Sequence, residues 1–304
     1  MDGGDLRPVL LNEVDQQVAP PVAAIVAAAR QRHGDAVAAV LFYGSCLQQD
    51  SVEGKIVDLY LLVDDYRSAH RGGLAALLNW ALPPNVYYLE TPFEGTVVRA
   101  KYAVISLADF ARGAGGGWFH PYLWARFAQP CRLAHCRNET VREAVVAALE
   151  GAVRKTVAEG LALRPGTAAV RDLWTAVFRQ SYGAELRAEP PERIARLLAA
   201  NEDYFARAGA AALSALQASG TATGAERSQS VSARWLLRRL QGKLLSALRL
   251  IKAAFTFQNG AQYLQWKIER HSGVAVTLTP WQRRHPVLAS TVLFWQLYRR
   301  GAFK

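Results

Sequence analysis

Two stretches decide the fold: Ala38-Ala39-Val40-Leu41-Phe42-Tyr43-Gly44-Ser45, and then Ile56-Val57-Asp58-Leu59-Tyr60-Leu61-Leu62-Val63-Asp64-Asp65. The first reads as a strand that breaks at a Gly-Ser turn, and the second as a buried strand carrying one acid, Asp58, near its start. A carboxylate inside an apolar run must be paired, face a cleft or hold a cation, because burying it alone is too costly. The spacing of turn and acid suits a site for a nucleoside triphosphate and a divalent cation. Glycine lets the backbone approach a phosphate closely, the serine hydroxyl and nearby N–H groups can hold its oxygens, and the strand acid can hold Mg²⁺. An ordinary β-turn with a locally paired acid fits the same residues.

The chain has 304 residues, 51% of them apolar and 20% charged, which is a globular composition with room for one large domain or two ordinary ones. No apolar run is long enough to span a bilayer, and Met1-Asp2-Gly3-Gly4-Asp5 lacks the basic-then-apolar order of a secretory signal. The net charge of +11 favours a polyanionic partner: nucleotide, nucleic acid or anionic lipid. Cys46, Cys131 and Cys136 lack zinc-type pairing and read as reduced thiols, with a metal role for Cys131, His135 and Cys136 as the minor alternative.

Working outward, Pro20 to His33 reads as an amphipathic helix opening on prolines. Tyr66 to Trp80 reads as a helix, and Val86 to Leu89 and Thr96 to Ser106 as strands around a turn at Pro92 to Gly95. The glycine-dense Gly113 to Gly117 has no phosphate-loop lysine after it and reads as a flexible connection. From Asn138 the pattern is helical: Glu139 to Gly160, Ala168 to Gly183, Pro191 to Gln217, and again from Val231. The helix from Val231 carries Arg234, Arg238, Arg239, Lys243, Arg249 and Lys252 among leucines and reads as a packed helix with a solvated basic side. Pro286 to Lys304 is aromatic with terminal cations, and fits either a membrane-interface segment or a core helix. The expected fold class is therefore α/β, a small mixed sheet followed by a mainly helical region.

Several of these stretches match one family in order and rough spacing. Tyr43-Gly44-Ser45, Val57-Asp58-Leu59 with Val63-Asp64-Asp65, Lys101 to Ser106, Ser181 to Glu189 and Lys252-Ala253-Ala254 resemble the phosphatidate cytidylyltransferases of the mitochondrial translocator assembly and maintenance type. The resemblance runs from about residue 40 to about residue 255. It implies a nucleotidyltransferase-like sheet over residues 1–137, a helical, winged-helix-like region over 138–285, and a C-terminal membrane-associating segment over 286–304. It implies Mg²⁺ as cofactor and CTP, phosphatidate and an anionic membrane surface as partners, with no nucleic acid. The product would be CDP-diacylglycerol, made peripherally on the cytoplasmic side of a bacterial inner membrane, or on the matrix side in a mitochondrion. Asp58 would hold the metal and, with Lys101, serve catalysis. Tyr43, Gly44 and Ser45 would hold the nucleotide, and Tyr182, Glu185, Arg187 and Lys252 the substrate phosphate.

The chain departs from this pattern at two positions. Cys46 stands where the family has a glycine, and Tyr60 where the wider superfamily places a second acid. Asp64, Asp65 and Glu90 are the candidates for a second metal ligand, and Asp64 and Asp65 fit a strand-ending turn equally well. The bland alternatives are an outward-facing Lys101 on a half-solvated strand and a local Glu185–Arg187 ion pair. His120, His135, His271 and His285 lie far apart and are assigned no chemistry. Two rival functions use the same fold: nucleotidyl transfer to a soluble acceptor or RNA, and non-catalytic nucleic-acid binding.

Overall fold

The computed structural model describes residues 5–48, 52–167, 169–186, 191–219 and 228–256. The protein is α/β, built on a five-stranded mixed sheet. Its strands are β1 (Val37–Tyr43), β2 (Ile56–Val63), β3 (Asn85–Phe93), β4 (Thr96–Ser106) and β5 (Cys131–Cys136), in the spatial order β3-β4-β2-β1-β5. β2 runs parallel to β4, and the other neighbours are antiparallel. The helices are α1 (Leu6–Val14), α2 (Pro20–His33), α3 (Tyr66–Ala69), α4 (Gly73–Ala81), α5 (Leu107–Ala114), α6 (Trp124–Phe127), α7 (Glu139–Leu163), α8 (Val170–Gly183), α9 (Pro191–Ala200), α10 (Glu202–Ala218) and α11 (Ser228–Thr256).

The central strand β2 is buried on both faces, which is why it reads as a nearly unbroken apolar run. Val57, Leu59, Leu61 and Val63 pack with Val22, Ile25 and Val26 of α2. Tyr60 and Leu62 face the other way, into a larger core that includes Leu10 of α1, Trp124 of α6, Val153 of α7, Trp174 of α8 and Trp235 of α11. This core draws on both sides of residue 137, so one sheet face and most of the helices fold around shared apolar contacts.

Several expected elements take a different form, each for a local reason. The helix expected over Tyr66 to Trp80 is split into α3 and α4, because Arg71, Gly72 and Gly73 all adopt positive φ (54°, 78° and 75°). The β3–β4 hairpin turns on Glu94-Gly95 alone, both at positive φ, as a two-residue turn of matching twist requires. Pro191 to Gln217 forms two helices, α9 and α10, with Asn201 between them. The glycines at 113–117 are tightly packed and do not form the expected flexible connection. A Cβ on Gly113 would lie 2.6 Å from Leu123, and one on Gly151 of α7 would lie 2.7 Å from the Gly115 backbone. Beyond residue 136 the described residues form helices and no strand, so they contain no wing hairpin. Among the described residues, no helix is long and apolar enough to cross a membrane. The segments 257–285 and 286–304, with the membrane-associating role expected of the latter, lie outside the described residues, as does Arg187.

Candidate active site

The Gly-Ser turn and the strand acid meet because β1 and β2 are antiparallel neighbours, with Tyr43 opposite Asp58. Gly44 adopts φ +90°, a left-handed conformation that L side chains rarely tolerate. A Cβ there would lie 3.0 Å from Asp58 Oδ2. Glycine is thus required twice at this position: by the turn and by the closeness of the carboxylate. The Cys46 thiol is buried and donates to the Ile56 carbonyl (3.3 Å), closing the turn against the start of β2.

Lys101 stands opposite Asp58 on β4, with Nζ 3.5 Å from Oδ1. Asp58 shares its sheet face with Tyr60 and Leu62, which are covered by helices, and it lies where that cover ends. Both partners therefore remain partly open to a cleft of about 260 Å³. The cleft's sheet wall carries Tyr43, Gly44, Ser45, Asp58 and Lys101, and its helical wall carries Tyr182 and Glu185. The structure thus brings into one cleft seven sequence-predicted residues from β1, β2, β4 and the α8 terminus.

The sequence reading missed much of the remaining wall: His120, Tyr122, Arg126, Arg193, Ser246 and Arg249. Arg126 donates to Glu185 Oε1 (3.0 Å), and its guanidinium lies over the rings of Tyr43 (5.7 Å) and Tyr122 (5.1 Å). Arg249 of α11 also lies over Tyr122, 4.2 Å from its ring centroid, and donates from Nε to the Pro83 carbonyl. Four cations, Lys101, Arg126, Arg193 and Arg249, line the cleft against two carboxylates, Asp58 and Glu185. That surplus suits an anionic ligand. The one signal that pointed here was the aromatic density of Trp118 to Phe127, which reads equally well as core.

Burial sets the protonation states in the wall. The Tyr43 phenol is pushed up to about 12, by desolvation first and then by the Asp58 charge, so it stays neutral. Tyr60 is raised well above its ordinary value by burial and by Tyr122, whose hydroxyl it contacts at 3.2 Å. The Tyr60 hydroxyl, donating to that of Tyr122, thus occupies the strand position where a second acid was sought. His120 is lowered to about 4 by burial and then by Arg249, so its imidazole is neutral near pH 7.

The remaining candidates lie elsewhere. Asp64 makes a bidentate pair with Arg137, at 2.6 Å for each contact. Asp65 caps α3, accepting from the Arg67 and Ser68 N–H groups. Glu90 accepts from Arg99 (3.0 Å) and the Tyr88 hydroxyl (2.8 Å). None of these three lines the cleft. Lys252 is also placed away from it: buried, with its ammonium donating to the Leu82 and Pro84 carbonyls (2.7 Å to Pro84). A backbone turn satisfies the cation that the sequence reading assigned to a phosphate. Cys131 and Cys136 stand at opposite ends of β5 as free thiols.

No cluster of three or more His, Cys, Asp or Glu side chains able to hold a metal occurs among the described residues. Mg²⁺ commonly binds through one or two carboxylates, with substrate phosphates and water completing its shell. Asp58, kept clear by the missing side chain at Gly44, fits that arrangement. No protein-family model matches this chain, and no curated protein matches it.

Proposed function

We propose that this protein is a Mg²⁺-dependent nucleotidyltransferase that joins CTP to phosphatidate, forming CDP-diacylglycerol and releasing pyrophosphate. The observation that carries the reading is the Asp58–Gly44–Lys101 grouping at the floor of a cation-rich cleft. Asp58 would hold Mg²⁺, which when bound neutralises charge on the leaving pyrophosphate. Gly44 and Ser45 hold the triphosphate through backbone and hydroxyl contacts. Lys101 holds a phosphate oxygen and orients the Asp58 carboxylate. On the helical wall, Arg126, fixed by Glu185 and the tyrosine rings, and Arg249 draw the acceptor phosphate in.

An acceptor phosphate oxygen attacks the α-phosphorus of CTP. The new P–O–P bond forms as the bond from that phosphorus to the β-phosphate oxygen breaks. The attacking oxygen is already ionised at neutral pH, so the residues work by positioning and charge neutralisation and need supply no strong base. The neutral Tyr43 and His120 are consistent with that division of labour. The substrate places the protein peripherally at a membrane, and the resemblance carried by residues 40 to 255 supplies the identity of both substrates.

The test is pyrophosphate release by purified protein with Mg²⁺, CTP and phosphatidate vesicles, beside Asp58→Asn. Formation of CDP-diacylglycerol by the wild type, reduced at least about a hundredfold in the variant, is the expected result. CTP binding without product would reject phosphatidate and point to a soluble acceptor. Absence of CTP binding would reject the enzyme reading.

A further inference from the structure

The order of the strands gives the cleft two ends. Asp58 lies on the central β2. On one side β1 delivers Gly44 and Ser45; on the other β4 delivers Lys101, with β3 beyond it. α11 closes the β4–β3 side, where Arg249 donates to the Pro83 carbonyl just before β3 begins. This helix turns Leu240, Leu244 and Leu248 outward and presents Gly242, Ser246 and Arg249, at spacings of four and three, to the cleft. Gly242 lets it press on the end of α8, since a Cβ there would lie 2.6 Å from the Ala184 carbonyl oxygen. Arg238 Nε, bonded to the Phe119 carbonyl, fastens the segment bearing His120 to the same helix. His120 and Arg249 share one neighbour: the Tyr122 ring lies 6.3 Å from the imidazole and 4.2 Å from the guanidinium carbon.

His120 is 8% exposed, its Nδ1 is buried without a partner, and no hydrogen bond fixes its ring among the described residues. Packing alone holds the imidazole, with Trp118 at 5.1 Å and Tyr122 at 6.3 Å between ring centroids. A buried histidine of the core has its polar atoms paired; this one lines a cation-rich cleft and lacks a partner. We propose that His120, Ser246 and Arg249 form the pocket for a phosphate-monoester acceptor and distinguish it from the product. The inference rests on the nucleotidyl-transfer reading and names the acceptor end of its site. A phosphate monoester offers three non-bridging oxygens. This corner offers three donors: the terminal guanidinium nitrogens of Arg249, whose Nε is engaged with Pro83, the Ser246 hydroxyl and an imidazole N–H. When one acceptor oxygen attacks the α-phosphorus of the nucleotide, it becomes the bridge of the new P–O–P bond, and pyrophosphate leaves with the electron pair of the old one. The acceptor phosphorus then keeps two non-bridging oxygens and less negative charge. One donor is left without an oxygen, so the product is held less tightly than the acceptor. His120 suits that role, because burial keeps its imidazole neutral near pH 7 and it adds no fixed charge to retain the product.

The experiment uses the full chain. Without nucleotide, glycerol 3-phosphate and dimethyl phosphate are titrated while the His120 imidazole signals, assigned by their loss in His120→Phe, are followed by NMR. Glycerol 3-phosphate should shift these signals to saturation, and dimethyl phosphate should bind at least about tenfold more weakly. In turnover with Mg²⁺, CTP and phosphatidate micelles, His120→Phe should raise the KM for phosphatidate about tenfold at unchanged KM for CTP and unchanged melting temperature. His120→Gln, which keeps a donor, should restore part of the loss. If the phenylalanine variant fails to fold, Ser246→Ala carries the same test of the two KM values. Unmoved His120 signals, an equal response to the two phosphates, or a rise in the KM for CTP instead would overturn the proposal. Shifted His120 signals without turnover of phosphatidate would reject the lipid acceptor and uphold the monoester pocket. Turnover of glycerol 3-phosphate in its place, with the same KM split, would uphold the pocket for a soluble acceptor.

Discussion

Gly44 is the residue on which the candidate site turns. Its φ of +90° and the 3.0 Å from a Cβ there to Asp58 Oδ2 make even alanine costly. Gly44→Ala should lower stability by roughly 1–2 kcal/mol and displace the Asp58 carboxylate. CTP affinity by calorimetry, beside a thermal melt, checks both; a variant that binds CTP normally would show that the turn does not shape the site. Lys252 offers a different test. Burial, then the nearby Arg249, lowers its ammonium to about 7 from the ordinary 10.5. Between those values the unfolded chain binds the proton more readily than the folded one, so this residue makes stability rise as pH increases from 7 towards 10. Denaturant unfolding across that window should lose part of its upward slope in Lys252→Met, and an unchanged slope would contradict the assignment. Lys252 also shows where sequence reading stops. A cation on an apolar helix turn looks the same whether a phosphate or two backbone carbonyls await it.

At the scale of elements, α11 is fastened to α7 by one buried carboxylate. Glu159 accepts from both terminal nitrogens of Arg238 (2.7 Å each), and Arg238 Nε donates to the Phe119 carbonyl. Lys155 and Arg234 approach the same carboxylate at 3.0 and 3.3 Å. Burial alone would raise Glu159, but the Arg238 hydrogen bonds and charge, with Lys155, bring it down to about 2 from 4.5. Its contribution is therefore complete above pH 4.5 and fades as the pH falls towards 2. Arg238→Met leaves a buried carboxylate short of its main partner and should cost roughly 3–5 kcal/mol, with α11 becoming the first site of proteolysis. Cleavage elsewhere first would mean that α11 is held by its apolar face instead. The expected periodicity of this helix was correct, but its amphipathic pattern did not reveal which of two apolar faces is buried. That choice is made by Trp124, Trp174 and the rest of the core, which are distant in sequence.

At the scale of the whole molecule, the sheet and the helical region are not independent. The face of β2 bearing Tyr60 and Leu62 is covered by residues from α1, α6, α7, α8 and α11. A fragment ending at residue 137 would expose that face and should fail to unfold cooperatively, whereas the full chain should give coincident transitions by far-ultraviolet circular dichroism and tryptophan fluorescence. A fragment with its own sharp transition would show that the sheet stands alone.

The strands β1 to β4 in chain order, the Gly-Ser turn and the isolated Asp58 were legible in the sequence, because alternation, turn chemistry and the cost of a buried charge are local signals; β5 (Cys131–Cys136), the edge strand beside β1, was not. Lys101, Tyr182 and Glu185 were named as cleft residues only through the family resemblance, since their local pattern fits a solvated face equally well, and the structure places all three in the cleft. Only the tertiary structure decided that Arg126, Arg249 and His120 join them, that Asp64, Asp65 and Glu90 are engaged elsewhere, and that a leucine row on α11 faces outward. Local patterning fixes what each segment can become and which side chains need a partner. Which partner each one meets depends on contacts between residues tens to hundreds of positions apart, and those exist only once the sheet and helices have packed.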